Sequence, residues 1–159
     1  MHFKMAQDVR TYFGSIMNQG GSHGSDDKNK FIMFDAYYCC ALIGMAKCEI
    51  DSDDTNMHDI IQGYPGPYRD SKAYIAGLLI ATEAKRKGIE MQNPLLENVM
   101  LEYLTSEDDT LLTDQGVKTL NAYSLRGARL LQDLMPDKPT SREEFLLQFN
   151  LAMNMYSKQ

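Results

Sequence analysis

The sequence predicts an all-α fold: a single-domain bundle or orthogonal array of about six to seven helices around one buried central helix at 70–88. Three observations predict it. Residues 70–88, DSKAYIAGLLIATEAKRKG, are specified as a helix at both ends. Asp70 or Ser71 supplies a capping oxygen, Lys85, Arg86 and Lys87 sit where the helix dipole favours cations, and Gly88 takes the left-handed position past the last turn. Between Tyr74 and Ala81 the segment carries no charge, and a helix apolar on every side belongs inside a bundle. No run of strand period reaches useful length. With 159 residues, 43% hydrophobic and 24% charged, the chain has the length of one domain that buries roughly 70% of its unfolded surface.

The elements follow in order. Residues 3–18 place Met5, Val9, Tyr12, Phe13 and Ile16 at helical spacing, and Gly20-Gly21 ends the pattern. Residues 20–30, GGSHGSDDKNK, read as an exposed flexible loop. A strongly apolar helix spans 31–47, with Ile32, Asp35, Cys39, Leu42 and Ala46 along one line. Asp35 is its single acid, and a carboxylate there needs water or a bond from a tyrosine or arginine. Residues 51–62 read as a short acidic helical turn, and Gly63-Tyr64-Pro65-Gly66-Pro67 forces a change of direction. After the helix at 70–88, Asn93-Pro94 opens a helix carrying Leu95, Leu96, Val99, Met100, Tyr103 and Leu104. The next runs from Thr113 to about Leu134, with Val117, Leu120, Ser124, Leu131 and Leu134 on its core face and Pro136 and Pro139 beyond it. Thr140-Ser141-Arg142-Glu143 has capping-box spacing and starts a last helix presenting Phe145, Phe149, Ala152, Met153 and Tyr156.

The net charge of −6 is even along the chain: residues 1–80 hold 7 Lys+Arg against 10 Asp+Glu, and residues 81–159 hold 9 against 12. No basic half exists to neutralise phosphates, which argues against direct nucleic-acid binding. Cys39, Cys40 and Cys48 form neither a C-x-x-C pair nor an even-numbered framework, so they read as reduced core residues. The opening MHFKMAQDVRTYFG lacks the apolar core of a signal peptide, and no apolar run is long enough to span a membrane. The expected location is the cytoplasm, with no membrane contact. Eleven Met and no Trp suit adaptable cores and surfaces.

Four motifs bear on chemistry. Gly20-Gly21-Ser22-His23-Gly24 matches G-x-S-x-G, but the nucleophile elbow behind that pattern needs a strand turning into a helix, and here polar residues follow. Residues 51–62 put oxygens at four calcium-loop positions, yet Asn56 stands where the sharp turn needs glycine and Gln62 where the closing glutamate belongs. They read instead as a solvated acidic segment. Arg126 and Arg129 put two guanidinium groups on one helix face, suited to a phosphate or an acidic partner. The adjacent His58-Asp59, with His23 upstream and Asp133 or Asp137 downstream, resembles the ligand order of HD-domain phosphohydrolases. That resemblance implies a divalent ion held by His23, His58, Asp59 and Asp133, activating water. The chain departs from that family in the polar Asp53-Asp54-Thr55-Asn56 before the pair and in the glycine-rich setting of His23.

Residues 34–46 (FDAYYCCALIGMA), 73–89 (AYIAGLLIATEAKRKGI) and 111–131 (LLTDQGVKTLNAYSLRGARLL) resemble small helical accessory proteins of bacterial DNA-phosphorothioation-dependent defence systems. The resemblance implies a cytosolic bacterial subunit that works by binding larger defence proteins, and it transfers no catalytic residue.

Together these readings favour a non-enzymatic interaction or adaptor subunit of a larger cytosolic bacterial assembly, such as a phage-defence or DNA-restriction system. It would need no cofactor and would associate with protein partners or with itself. Tyr12, Tyr64, Tyr68, Arg126 and Arg129 are the candidate contact residues. The alternative is the metal-dependent HD-type phosphohydrolase. Two helices as apolar as 31–47 and 70–88 in so short a chain also predict that a neighbouring subunit closes a face of one of them.

Overall fold

The computed structural model describes residues 1–18 and 27–158. The chain is mostly helical, and its described elements run β1 (Phe3–Ala6), α1 (Gln7–Tyr12), α2 (Met33–Lys47), β2 (Met57–Ile61), a 3₁₀ turn (Gly66–Ser71), α3 (Lys72–Arg86), α4 (Leu96–Tyr103), α5 (Asp114–Leu134) and α6 (Arg142–Ser157).

The centre is α5 packed on α2. Gly127 and Gly44 make that contact: a Cβ on Gly127 would lie 1.7 Å from the Cys40 carbonyl oxygen, and one on Gly44 would lie 2.1 Å from that of Tyr123. No side chain separates the two backbones there. The Ser124 hydroxyl donates to the Tyr37 carbonyl at 3.0 Å in the same seam. Nearly every residue of α5 from Gly116 to Leu131 is buried or half-buried. The expectation of a buried central helix at 70–88 is therefore corrected: α3 covers that stretch and exposes Ala73, Tyr74, Gly77 and Ala81 along one side. Alanine and glycine lose little by facing water, Tyr74 at 66% exposure is the one large side chain on that side, and the buried stripe of α3 includes Ile75, Leu79 and Ile80.

The all-helical expectation is corrected as well, by an antiparallel ribbon pairing Lys4 with Asp59, Met5 with His58 and Ala6 with Met57. Two short strands are marginal on their own. This pair holds because Phe3 packs edge-on to Phe34 and Tyr37 at 5.2 and 5.5 Å, and because the Lys4 amide donates to the Asn121 side chain at 3.1 Å. The predicted acidic helical turn at 51–62 is instead two Asx turns, with Asp51 accepting from the Asp53 amide and Asp53 from Thr55, leading into β2. The predicted helix over 3–18 contracts to α1.

Helix termini follow local chemistry. Thr113 accepts from the Gly116 amide at 3.0 Å and Ser141 from the Glu144 amide at 3.1 Å. Asp35 accepts from the Ile32 amide at 2.9 Å and from the Tyr68 hydroxyl at 2.5 Å, which settles a carboxylate on an apolar helix. Gly88 adopts φ +70° and ends α3. Neither Asp70 nor Ser71 caps α3, since the 3₁₀ turn runs straight into it.

Of the loop predicted at 20–30, residues 20–26 lie outside the described residues. Residues 27–30 form a turn in which Asp27 accepts from the Asn29 amide, and Arg142 of α6 donates to the Lys28 carbonyl. No described helix is long and apolar enough to cross a membrane.

Candidate functional site

The most unusual chemistry is on the buried face of α3. Glu83 shares that face with Ile80, Leu79 and Ala76 and is 0% exposed. Its carboxylate accepts from Arg86 Nε at 2.6 Å and Nη2 at 2.8 Å, from the Tyr103 hydroxyl at 2.8 Å and from the Tyr123 hydroxyl at 2.7 Å. Burial alone would raise its pKa, but these four bonds outweigh burial and hold it below the ordinary carboxylate value. Burial and the same carboxylate push Tyr103 and Tyr123 upward. Lys87 sits 5.0 Å above the Tyr103 ring and pairs with Glu102 at 3.0 Å. The node thus joins α3, α4 and α5.

A cleft of about 210 Å³ opens beside this node, with Arg86 and Tyr103 in its wall. Ile50, Met57, Ala122 and Leu125 form apolar lining, Lys4 and Lys118 add cations, and Asp51, Asp53 and Asp54 bring acids from the loop before β2. The Asp51 amide donates to the Ala122 carbonyl at 3.0 Å, fixing that loop against α5. The cleft can hold a polar group by charge. Arg86 is pinned in the protonated form and burial pushes Tyr103 upward, so these two wall residues keep their protons.

The sequence-predicted residues fall elsewhere. Tyr12 is buried and donates to the Met135 carbonyl at 2.8 Å. Tyr64 is buried against Phe3 and Phe34, and Tyr68 is half-buried on Asp35. Arg126 and Arg129 do not form a joint anion site, since Arg126 binds Glu49 at 2.8 Å and Arg129 binds Asp8 of α1 and Gln132. These bonds tie α5 to its neighbours.

His58 and Asp59 lie side by side on β2, where neighbouring side chains point to opposite faces. Asp59 turns to His2 Nδ1 at 3.5 Å and Lys4 Nζ at 3.9 Å, across the ribbon. Asp133 is exposed near the end of α5, twelve residues and roughly 18 Å beyond Asn121, which contacts the ribbon. His23 lies outside the described residues, as does the G-x-S-x-G stretch. Among the described residues no three of His, Cys, Asp and Glu converge in a group that could hold a metal ion. The cysteines are free, and burial keeps them as thiols, pushing Cys39 up to about 12 and Cys40 well above its ordinary value.

Sequence reasoning missed two features. One is Glu83 with Arg86, legible as the one acid of α3 three residues before a basic residue. The other is a set of exposed apolar side chains that concentrates in two stretches. Met91, Leu95, Met100 and Leu101 lie on and before α4, Leu101 at 70% exposure, and Leu146, Leu147, Leu151 and Met155 lie on α6, Leu147 at 62%. Helix α6 buries one stripe, Phe145, Ala152 and Tyr156, and carries a second on its outer side.

Comparison with known protein families, with characterised proteins and with solved structures finds no match to this chain.

Proposed function

We propose that this protein is a non-enzymatic interaction subunit of a larger assembly, and that the outer face at 91–101 is its contact surface for a protein partner. The observation that carries the reading is the cluster of Met91, Leu95, Met100 and Leu101, large apolar side chains exposed in one short stretch. Scattered exposed leucines are ordinary, whereas four large apolar side chains exposed within eleven residues suit a binding surface. Glu90 and Glu97 are exposed in the same stretch, which favours a partner with basic residues beside an apolar centre. The cleft beside Arg86 offers charged groups of both signs to a bound polar group. Placement in a bacterial DNA-phosphorothioation-dependent defence system rests on the resemblance of 34–46, 73–89 and 111–131, segments that belong largely to α2, α3 and α5.

The test is affinity capture of the tagged protein from its own host, beside a Leu101→Glu variant whose helicity is checked by circular dichroism. The reading expects a stoichiometric protein partner with the wild type and its loss with the variant. Recovery of the wild type alone, with no partner above background, contradicts it.

A further inference from the structure

The outer stripe of α6 is symmetric about Leu151 in its apolar positions and opposite in charge at its two ends. Glu144, Leu147, Leu151, Met155 and Lys158 are all exposed, and at 3.6 residues per turn they fall within a sector of about 80°. Leu151 is the midpoint: Leu147 and Met155 lie four residues to either side of it, and Glu144 and Lys158 seven. The uncharged amides of Gln148 and Asn154, three residues to either side, flank the stripe.

We propose that α6 pairs with α6 of a second copy of this chain, antiparallel about a two-fold axis at Leu151. That arrangement sets Leu151 on Leu151 of the second copy and Leu147 beside its Met155. Glu144 then meets its Lys158 at both ends. A parallel pair would instead place Glu144 against Glu144 and Lys158 against Lys158, so the charges select the antiparallel register. Antiparallel pairing also sets the positive N-terminal pole of each α6 beside the negative C-terminal pole of the other, an alignment the helix dipoles favour. Beside the stripe, the ends of α5 and α6 leave a recess of about 140 Å³ lined by Leu131, Leu134, Met135, Leu151 and Met155, next to the place where Leu147 of the second copy arrives. A two-fold contact is self-complementary and closes at two chains.

The proposal shares with the preceding reading only the view that exposed apolar rows are contact surfaces, and it concerns a different helix. Sedimentation equilibrium of the full chain, from low micromolar to several hundred micromolar, tests it. The expected result is a concentration-dependent dimer that becomes monomeric in Leu151→Glu with unchanged circular dichroism, because the new carboxylates would face each other at the axis. Glu144→Lys and Lys158→Glu should each weaken the dimer by several-fold, and the double exchange should restore it. A wild-type monomer at all concentrations overturns the proposal, as does a dimer indifferent to Leu151→Glu, a double exchange that fails to restore pairing, or growth beyond two chains. A monomer that still captures a host partner overturns the dimer and leaves the interaction reading standing; a dimer that captures none does the reverse.

Discussion

A Cβ built on Gly127 would stand 1.7 Å from the carbonyl oxygen of Cys40, so α5 and α2 meet backbone to backbone. Glycine inside a helix ordinarily costs up to about 1 kcal/mol relative to alanine. At this crossing the sign reverses, because a methyl group would force the two central helices apart and the obstacle is backbone. Gly127→Ala should lose on the order of 3 kcal/mol in urea unfolding. Gly77→Ala, on the outer side of α3 with nothing within 4 Å of its Cβ position, should instead gain about 0.5–1 kcal/mol. Equal effects from the two substitutions would contradict the close crossing.

Glu83 predicts an acid-dependent stability. Its native pKa is depressed because Arg86, Tyr123 and Tyr103 outweigh the effect of burial. In the unfolded chain it titrates at about 4.3. As pH falls through that value the unfolded state takes up the proton first, so the stabilisation is complete above about pH 5 and declines as the pH drops toward the native value. Glu83→Gln should cost about 3 kcal/mol at neutral pH, and the gap to wild type should narrow below about pH 4. A gap that is constant from pH 7 to pH 3 would show that the carboxylate charge is not what the node requires.

Asn121 should control the ribbon. Its side chain accepts from the Lys4 amide and the Tyr37 hydroxyl and donates to the His2 carbonyl. Asn121→Ala leaves a buried tyrosine hydroxyl without its acceptor and frees β1, at about 2–3 kcal/mol. Amide exchange at Lys4 should accelerate more than exchange in α6. Unchanged protection at Lys4 would mean that Phe3 packing alone holds the strand.

What the sequence makes legible follows the range of the interactions. The starts of α5 and α6 are written locally, in Thr113 and Ser141 with their apolar spacing, and the bond required by Asp35 is a demand of its own helix. The ribbon was illegible because Met57, His58 and Asp59 show no alternation, and β1 stands through contacts with Phe34 and Asn121, far away in the chain. The choice of central helix failed for a different reason. Apolarity on every side does not distinguish alanine and glycine, which tolerate water, from leucine and isoleucine, which do not. Arg126 and Arg129 were legible as a pair but not as partners of Glu49 and Asp8. The cleft draws on Lys4, the acids at 51–54, Arg86, Tyr103 and Lys118, and no local pattern announces a site assembled from five separate segments.

The account rests most on the row at 91–101 being the surface that meets a partner. Hydrogen exchange of the complex captured from the host, compared with the isolated chain, tests this directly. The account predicts new protection confined to 91–103, with the loop at 50–57 unchanged. Protection at 50–57 and 115–122 with none on α4 would place the partner in the charged cleft and contradict it.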